Sequence, residues 1–221
     1  MNAAVDTPSA TDENLSFSSE EFVWNSAGCT PAHRLLRSPV LRMLKAAGAR
    51  KVLDLGCGNG AFTNELKAAG LDVTGCDMSA SGIDWARRQF PHIPFFAQDL
   101  SEPVPPDHEE CYDAVVSTEV IEHLLLPRLL LKNAFSALRP GGMLILSTPF
   151  HGYWKNLALA VTNKFDDHWH PMRDFGHVKF FSRKTLSALL QEQGFTIQEF
   201  SRVGRLPAFA CHMIVAAGKP E

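Results

Sequence analysis

A short apolar run ends in an acid and leads into glycines at alternate positions: Val52-Leu53-Asp54-Leu55-Gly56-Cys57-Gly58-Asn59-Gly60. No other feature constrains the fold as strongly. The run reads as a buried parallel strand that enters a tight turn and then a helix. Glycine carries no Cβ, so a ligand can approach the backbone closely at this turn. The first N–H groups of the following helix are free and point at the same place.

The rest of the chain repeats this alternation, which is the signature of a parallel sheet with helices on both faces. Strands are predicted at 51–55, 71–76, 94–97, 112–117, 143–147, 195–201 and 208–216. Helices are predicted at 39–47, 61–69, 79–89, 128–138 and 182–193, with an inserted helix at 153–162. Glycines stop several helices, and Arg139-Pro140-Gly141-Gly142 closes the one at 128–138. The pattern shows no internal repeat and no second domain. The 221 residues suffice for one domain with a full core.

Residues 22–221 are therefore predicted to form one domain with a lid-like insertion at about 150–178. Residues 1–21 are rich in Ser, Thr, Asp and Glu, and a mobile tail is expected there. That tail lacks the basic start and apolar stretch of a secretory signal. No apolar run is long enough to span a bilayer. The five cysteines are scattered without a C-x-x-C pair, which favours a reducing, cytoplasmic setting over a disulfide framework or a zinc knuckle. A net charge of -3 and 45% apolar content argue against disorder and against a strongly basic nucleic-acid surface.

Ligands of open parallel sheets sit at the carboxyl ends of the strands. Asp77 follows Val73-Thr74-Gly75-Cys76 there, and its carboxylate can accept hydrogen bonds from two ribose hydroxyls. Asp99 closes Phe95-Phe96-Ala97-Gln98-Asp99-Leu100, where it can meet an adenine amino group while Leu100 offers a backbone N–H. A helix cap or a solvated turn is the plainer role for each acid. The glycine spacing is G-x-G-x-G rather than the G-x-G-x-x-G of dinucleotide-binding proteins, which disfavours an NAD(P) oxidoreductase.

Together the Asp54–Gly60 loop, Asp77, Asp99, the strand Tyr112-Asp113-Ala114-Val115-Val116 and the turn Leu138-Arg139-Pro140-Gly141-Gly142 resemble the class I S-adenosylmethionine-dependent methyltransferases. The resemblance covers roughly residues 50–217. It implies a Rossmann-like α/β fold, with a seven-stranded, mostly parallel sheet whose last strand is antiparallel, and methyl transfer from S-adenosylmethionine. Carried over residue by residue, it implies that Gly56 and Gly58 line the methionine end of the donor and that Asp54 orders the loop. Asp77 would hold the ribose, with Met78 beside it in the binding set. Asp99 and Leu100 would hold the adenine, and Thr118 would lie beside the sulfonium. Arg34 or Arg37 would neutralise the donor carboxylate.

After the fourth strand comes Ser117-Thr118-Glu119-Val120-Ile121-Glu122-His123. On a helical turn, residues at i, i+3 and i+4 share a face. Glu119, Glu122 and His123 are thus expected to form one divalent-metal or acid–base cluster. The Glu-x-x-Glu-His pattern resembles two methyltransferase branches. These are the ubiquinone-biosynthesis O-methyltransferases and the small-RNA 2′-O-methyltransferases, where the pattern and a later histidine hold Mg²⁺. That later histidine could be His177, with His168 and His170 as alternatives. A bound divalent metal would polarise the acceptor hydroxyl. Without one, His123 or His177, next to Glu122, could take its proton.

The expectation is an O-methyltransferase acting on a small phenolic or quinol-like acceptor. Thr30-Pro31-Ala32-His33-Arg34 with Ser38-Pro39 adds to the likeness to the ubiquinone branch. The Thr148-Pro149-Phe150-His151 stretch and the histidine-rich insertion depart from it. An RNA 2′-O-methyltransferase would need a basic groove, against which the charge of -3 argues. A cofactor-binding pseudoenzyme would not need the acid–histidine pattern.

Overall fold

A computed structural model describes residues 28–169, 172, 176–204 and 210–221 of the chain. The expected tail, residues 22–27 of the predicted domain and His170 lie outside the described residues. The sheet is seven-stranded, in the order β3-β2-β1-β4-β5-β7-β6. Its strands are β1 (Lys51–Leu55), β2 (Asp72–Asp77), β3 (Phe95–Ala97), β4 (Tyr112–Thr118), β5 (Leu138–Pro149), β6 (Thr196–Val203) and β7 (His212–Gly218). β7 pairs antiparallel with both β5 and β6, and the pairings among β1 to β5 are parallel. The strand order turns back at β1 and β4, which places a crevice at their carboxyl ends.

Among the described residues seven α-helices surround the sheet: α1 (Pro31–Ala46), α2 (Ala61–Ala68), α3 (Ala80–Gln89), α4 (Pro127–Ala137), α5 (Tyr153–Val161), α6 (Phe165–Trp169) and α7 (Arg183–Glu192). One face of the sheet buries Leu36, Val40 and Leu44 of α1 and Phe62 and Leu66 of α2 against Val52, Val116, Ile145 and Ile214. The other buries Leu130 and Leu131 of α4 and Leu186 and Leu190 of α7 against Leu53, Val115, Leu144 and Val215. Each fully buried aliphatic side chain contributes about 1.5–3 kcal/mol, so these two layers fix the register of the strand ends.

Helix α1 starts at Pro31, well before the expected 39. The Oγ1 of Thr30 caps it by accepting from the N–H of His33, and Pro31 sits in the first turn, where no N–H is needed. Pro39, the first residue of the expected helix, is carried inside it. β5 also begins earlier than expected, because Leu138 pairs with Tyr112 before the register shifts. β7 begins at His212; of its expected start, residues 208 and 209 lie outside the described residues.

The inserted helix α5 forms as expected but buries none of its residues. Tyr153 and Trp154 at its start are exposed. No described helix is long and apolar enough to cross a membrane.

Candidate active site

The loop after β1 is built by backbone conformations that glycine alone adopts without strain. Gly56, Gly58 and Gly60 have φ of 88°, 53° and 74°. The N–H groups of Gly56 and Cys57 both donate to the carbonyl of Cys76, at 2.8 and 2.9 Å, which ties the turn to β2. A Cβ on Gly56 would lie 2.9 Å from Cγ1 of Val120, so the absent side chain lets the β4 loop close over the turn. Asp54 lies beneath, 1% exposed, and accepts from the Thr63 hydroxyl at 2.6 Å. Burial pushes its carboxyl up to about 7; the Thr63 bond opposes this and the nearby Asp77 adds to it.

Asp77 ends β2 with both carboxylate oxygens held by backbone donors. Gly58 N–H donates to Oδ2 at 2.8 Å and Ser79 N–H to Oδ1 at 2.9 Å. The acid thereby links the glycine turn to the start of α3, where the Ser79 hydroxyl caps the N–H of Gly82. Met78 stands exposed beside it. Asp99 is exposed and accepts from the N–H of Ser101 at 2.8 Å, and Leu100 is buried next to it. The loop carrying both is pinned by Gln98, whose amide donates to the carbonyls of Asp99, Glu102 and Pro103. Arg37 forms an ion pair with Glu65 at 2.7 Å. Arg34 lines the same cavity of about 370 Å³ with Cys29, His33 and Ala61, and has no ion pair among the described residues.

The acids after β4 part company. Thr118, buried, ends the strand. Glu119 has φ of 56°, which turns the chain sharply. Its N–H approaches the hydroxyl of Ser147 at 3.2 Å, and its Oε1 accepts from that hydroxyl at 2.8 Å. Its Oε2 lies 2.9 Å from Nδ1 of His212. A short 3₁₀ turn, Ile121–His123, then carries Glu122 inward.

Glu122 is 1% exposed, and its Oε2 accepts from the Thr148 hydroxyl at 3.0 Å. Burial drives its carboxyl well above the usual carboxylate range, and Glu119 pushes in the same direction. Its other oxygen, Oε1, is buried without a hydrogen-bond partner among the described residues, 4.0 Å from Nε2 of His177. The carbonyl of Glu122 accepts from the N–H groups of Val178 and Lys179, both at 2.9 Å, which binds this turn to the His177 segment. The rings of His123 and His177 meet edge to face at 4.9 Å. One ligand atom from each of Glu122, His123 and His177 lies within 4.8 Å of the others.

Residues 31–199 match the methyltransferase domain family. The ubiquinone biosynthesis O-methyltransferase of Bradyrhizobium diazoefficiens is 30% identical over 178 residues, covering 78% of this chain and 67% of that one. The chain belongs to the methyltransferase domain family. It is an S-adenosylmethionine-dependent methyltransferase. Magnesium protoporphyrin IX methyltransferase from Synechocystis, with bound S-adenosylhomocysteine, superposes with a TM-score of 0.65 at 21% identity, over 85% of this chain and 84% of that one. The [4+2]-cyclase SpnF has a TM-score of 0.66 at 16% identity, over 90% and 86% of the two chains. A shared fold therefore does not fix the reaction.

In this methyltransferase the expected donor residues Asp54, Gly56, Gly58, Asp77, Met78, Asp99, Leu100 and Thr118 lie along the carboxyl ends of β1 to β4. Arg37 is held by Glu65 instead of facing the loop unpaired. Of the four residues expected to form the acid–histidine cluster, the fold brings together Glu122, His123 and His177. Glu119 is turned to Ser147 and His212, because its left-handed backbone breaks the helical spacing on which a common face depends. The backbone of His168 lies in α6, and its side chain lies outside the described residues.

The sequence reading missed His33, Ser147, Thr148 and His212. His33 is largely buried, stacked on Phe62 at 4.8 Å, and its ring is held down to about 4 by burial, so it is neutral at physiological pH. The one available signal for His212 was a lone polar residue opening the otherwise apolar run His212–Gly218.

Proposed function

We propose that this methyltransferase transfers the donor methyl group to a hydroxyl oxygen of a small phenolic or quinol-like acceptor. We further propose that Glu122, His123 and His177 hold a divalent cation beside it. The observation that carries the reading is the buried Glu122 Oε1, without a hydrogen-bond partner among the described residues and 4.0 Å from the His177 ring nitrogen. A buried polar atom left unsatisfied costs about 1–3 kcal/mol, so a missing partner is the simplest account of it. One carboxylate and two imidazoles within 4.8 Å form a donor set that fits such a cation. When bound, the cation would act as a Lewis acid on the acceptor hydroxyl.

On the donor side, Asp77 takes the ribose hydroxyls, and Asp99 with the Leu100 N–H takes the adenine. Gly56 and Gly58 allow the methionine moiety to lie on the backbone, and Thr118 flanks the sulfonium. Arg34 takes the donor carboxylate, because Arg37 is already neutralised by Glu65. The likeness to ubiquinone biosynthesis O-methyltransferases supports a hydroxyl acceptor. A net charge of -3 weighs against an RNA strand.

Catechol with S-adenosylmethionine and Mg²⁺ should yield the monomethyl ether, with turnover lost after exhaustive chelation and restored by added metal. Calorimetric titration with Mn²⁺ should show one site in the full chain and none in Glu122→Ala. Full turnover after chelation would exclude the cation.

A further inference from the structure

The side chains at the ends of β4, β5 and β7 divide between the two faces of the sheet. Ile145 and Ile214 belong to the core under α1 and α2, while Leu144, Leu146 and Met213 belong to the core under α4 and α7. Side chains alternate along a strand, so Ser147 and His212 emerge on the α1 side and Thr148 on the α7 side. Thr148 bonds Glu122; Ser147 and His212 bond Glu119. The strand ends thus carry two acid–histidine groups, one on each face. The group on the α7 side is the cation site proposed above. The group on the α1 side has no role in that reading.

Its geometry is that of an oriented base. Oε2 of Glu119 lies 2.9 Å from Nδ1 of His212, and a carboxylate in that position accepts the Nδ1–H. The proton is then fixed on Nδ1, and Nε2 keeps its lone pair, the arrangement that makes a histidine a general base. Glu119 is itself held by the Ser147 hydroxyl, in a left-handed backbone conformation costly for a residue with a side chain. His33, on α1, lines the 370 Å³ cavity. Glu119 and His212 lie near enough for their charges to act on its ring in opposite directions. His212 opens β7, three strands from β1 and its glycine turn, and pairs with Pro149 at the carboxyl end of β5.

We propose that His212 is the general base of the methyl transfer and that Glu119 is its positioning residue. The proposal rests on the hydroxyl-acceptor reading. The acceptor O–H bond breaks and its proton passes to Nε2 of His212. The oxygen forms a bond to the methyl carbon as the carbon–sulfur bond breaks. The electron pair of that bond stays on sulfur, giving neutral S-adenosylhomocysteine. The protonated imidazole is stabilised by the Glu119 carboxylate until it releases the proton to water.

The test uses the full chain with S-adenosylhomocysteine and 4-nitrocatechol, whose phenolate absorbs in the visible. It is run in chelator, at a pH where the free probe keeps its proton. Wild type should show the phenolate band; His212→Asn should lose it while binding S-adenosylhomocysteine with unchanged affinity. In a separate assay with S-adenosylmethionine and Mg²⁺, turnover of catechol should fall about 10²–10³-fold in kcat in His212→Asn, with KM within about threefold, the range of a lost general base. Glu119→Gln should lower kcat in the same sense.

No band in wild type, or an equal band in His212→Asn, would overturn the proposal. A band without methylated product would leave the base standing and sink the hydroxyl-acceptor reading. Product formed at equal rates by wild type and His212→Asn would do the reverse.

Discussion

Replacing Asp54 with asparagine tests whether the base of the glycine turn is built around a buried acid. Asp54 is 1% exposed, and burial raises its carboxyl from 3.8 to about 7. A carboxyl whose folded value lies above its unfolded one leaves stability intact below about 3.8. Stability is then lost as pH rises toward 7, because the unfolded chain sheds the proton first. The full interval between the two values corresponds to roughly 4 kcal/mol, and the part between pH 5 and pH 8 to about 3 kcal/mol. Asparagine keeps an oxygen for the Thr63 hydroxyl and cannot ionise. Urea unfolding of the ligand-free chain at pH 5, 6, 7 and 8 should show wild type losing stability relative to Asp54→Asn by about 3 kcal/mol. Parallel stability curves for the two proteins would refute the reasoning, since they would mean that Asp54 ionises as freely in the fold as out of it.

Gly56→Ala should destabilise the fold by about 2–4 kcal/mol, from a left-handed residue and a clash with Val120. The double variant with Val120→Ala should recover part of that loss in thermal unfolding. Arg34→Ala should raise the dissociation constant of S-adenosylhomocysteine about tenfold by calorimetry, the loss of about 1.4 kcal/mol, while Arg37→Ala should change it less than about threefold. Thr148→Val removes the hydroxyl that satisfies Glu122 Oε2 and should cost about 1–3 kcal/mol in urea unfolding.

The turn and strand ends of the proposed donor half were legible because backbone carries them. Three glycines that need positive φ, an acid one βα unit later and a serine-capped helix leave signals at fixed spacing along the chain. The proposed acceptor half is carried by side chains from distant segments. His33, Glu119 and His212 come from α1, the end of β4 and the start of β7, and no spacing relates them. Helical spacing predicted that Glu119 and Glu122 face the same way. The reason they do not is one residue with φ of 56°, and a glutamate gives no sequence sign of a left-handed backbone. The early start of α1 was legible in principle: Thr30-Pro31 is a cap followed by a first-turn proline, but Pro39 masked it.

That single backbone conformation makes Ser147 the residue on which the division of the proposed acceptor site depends. A left-handed residue with a side chain costs about 1–2 kcal/mol, and something must hold Glu119 there. Its N–H is 3.2 Å from the Ser147 hydroxyl and 3.3 Å from the Ser147 carbonyl, and its Oε1 accepts from the hydroxyl at 2.8 Å. Ser147→Ala keeps the carbonyl contact and removes both hydroxyl contacts, while the fully buried methyl still fills the layer against α1. The global stability loss should therefore be small, about 1 kcal/mol by urea unfolding. The Glu119–His212 contact should loosen, and the imidazole ¹⁵N resonances of His212 should move from a fixed Nδ1–H tautomer toward a mixture. The resonances of His177, on the opposite face, should not move. A variant in which both histidines shift together would mean that the two groups form one network, and the division by the sheet would have no chemical meaning.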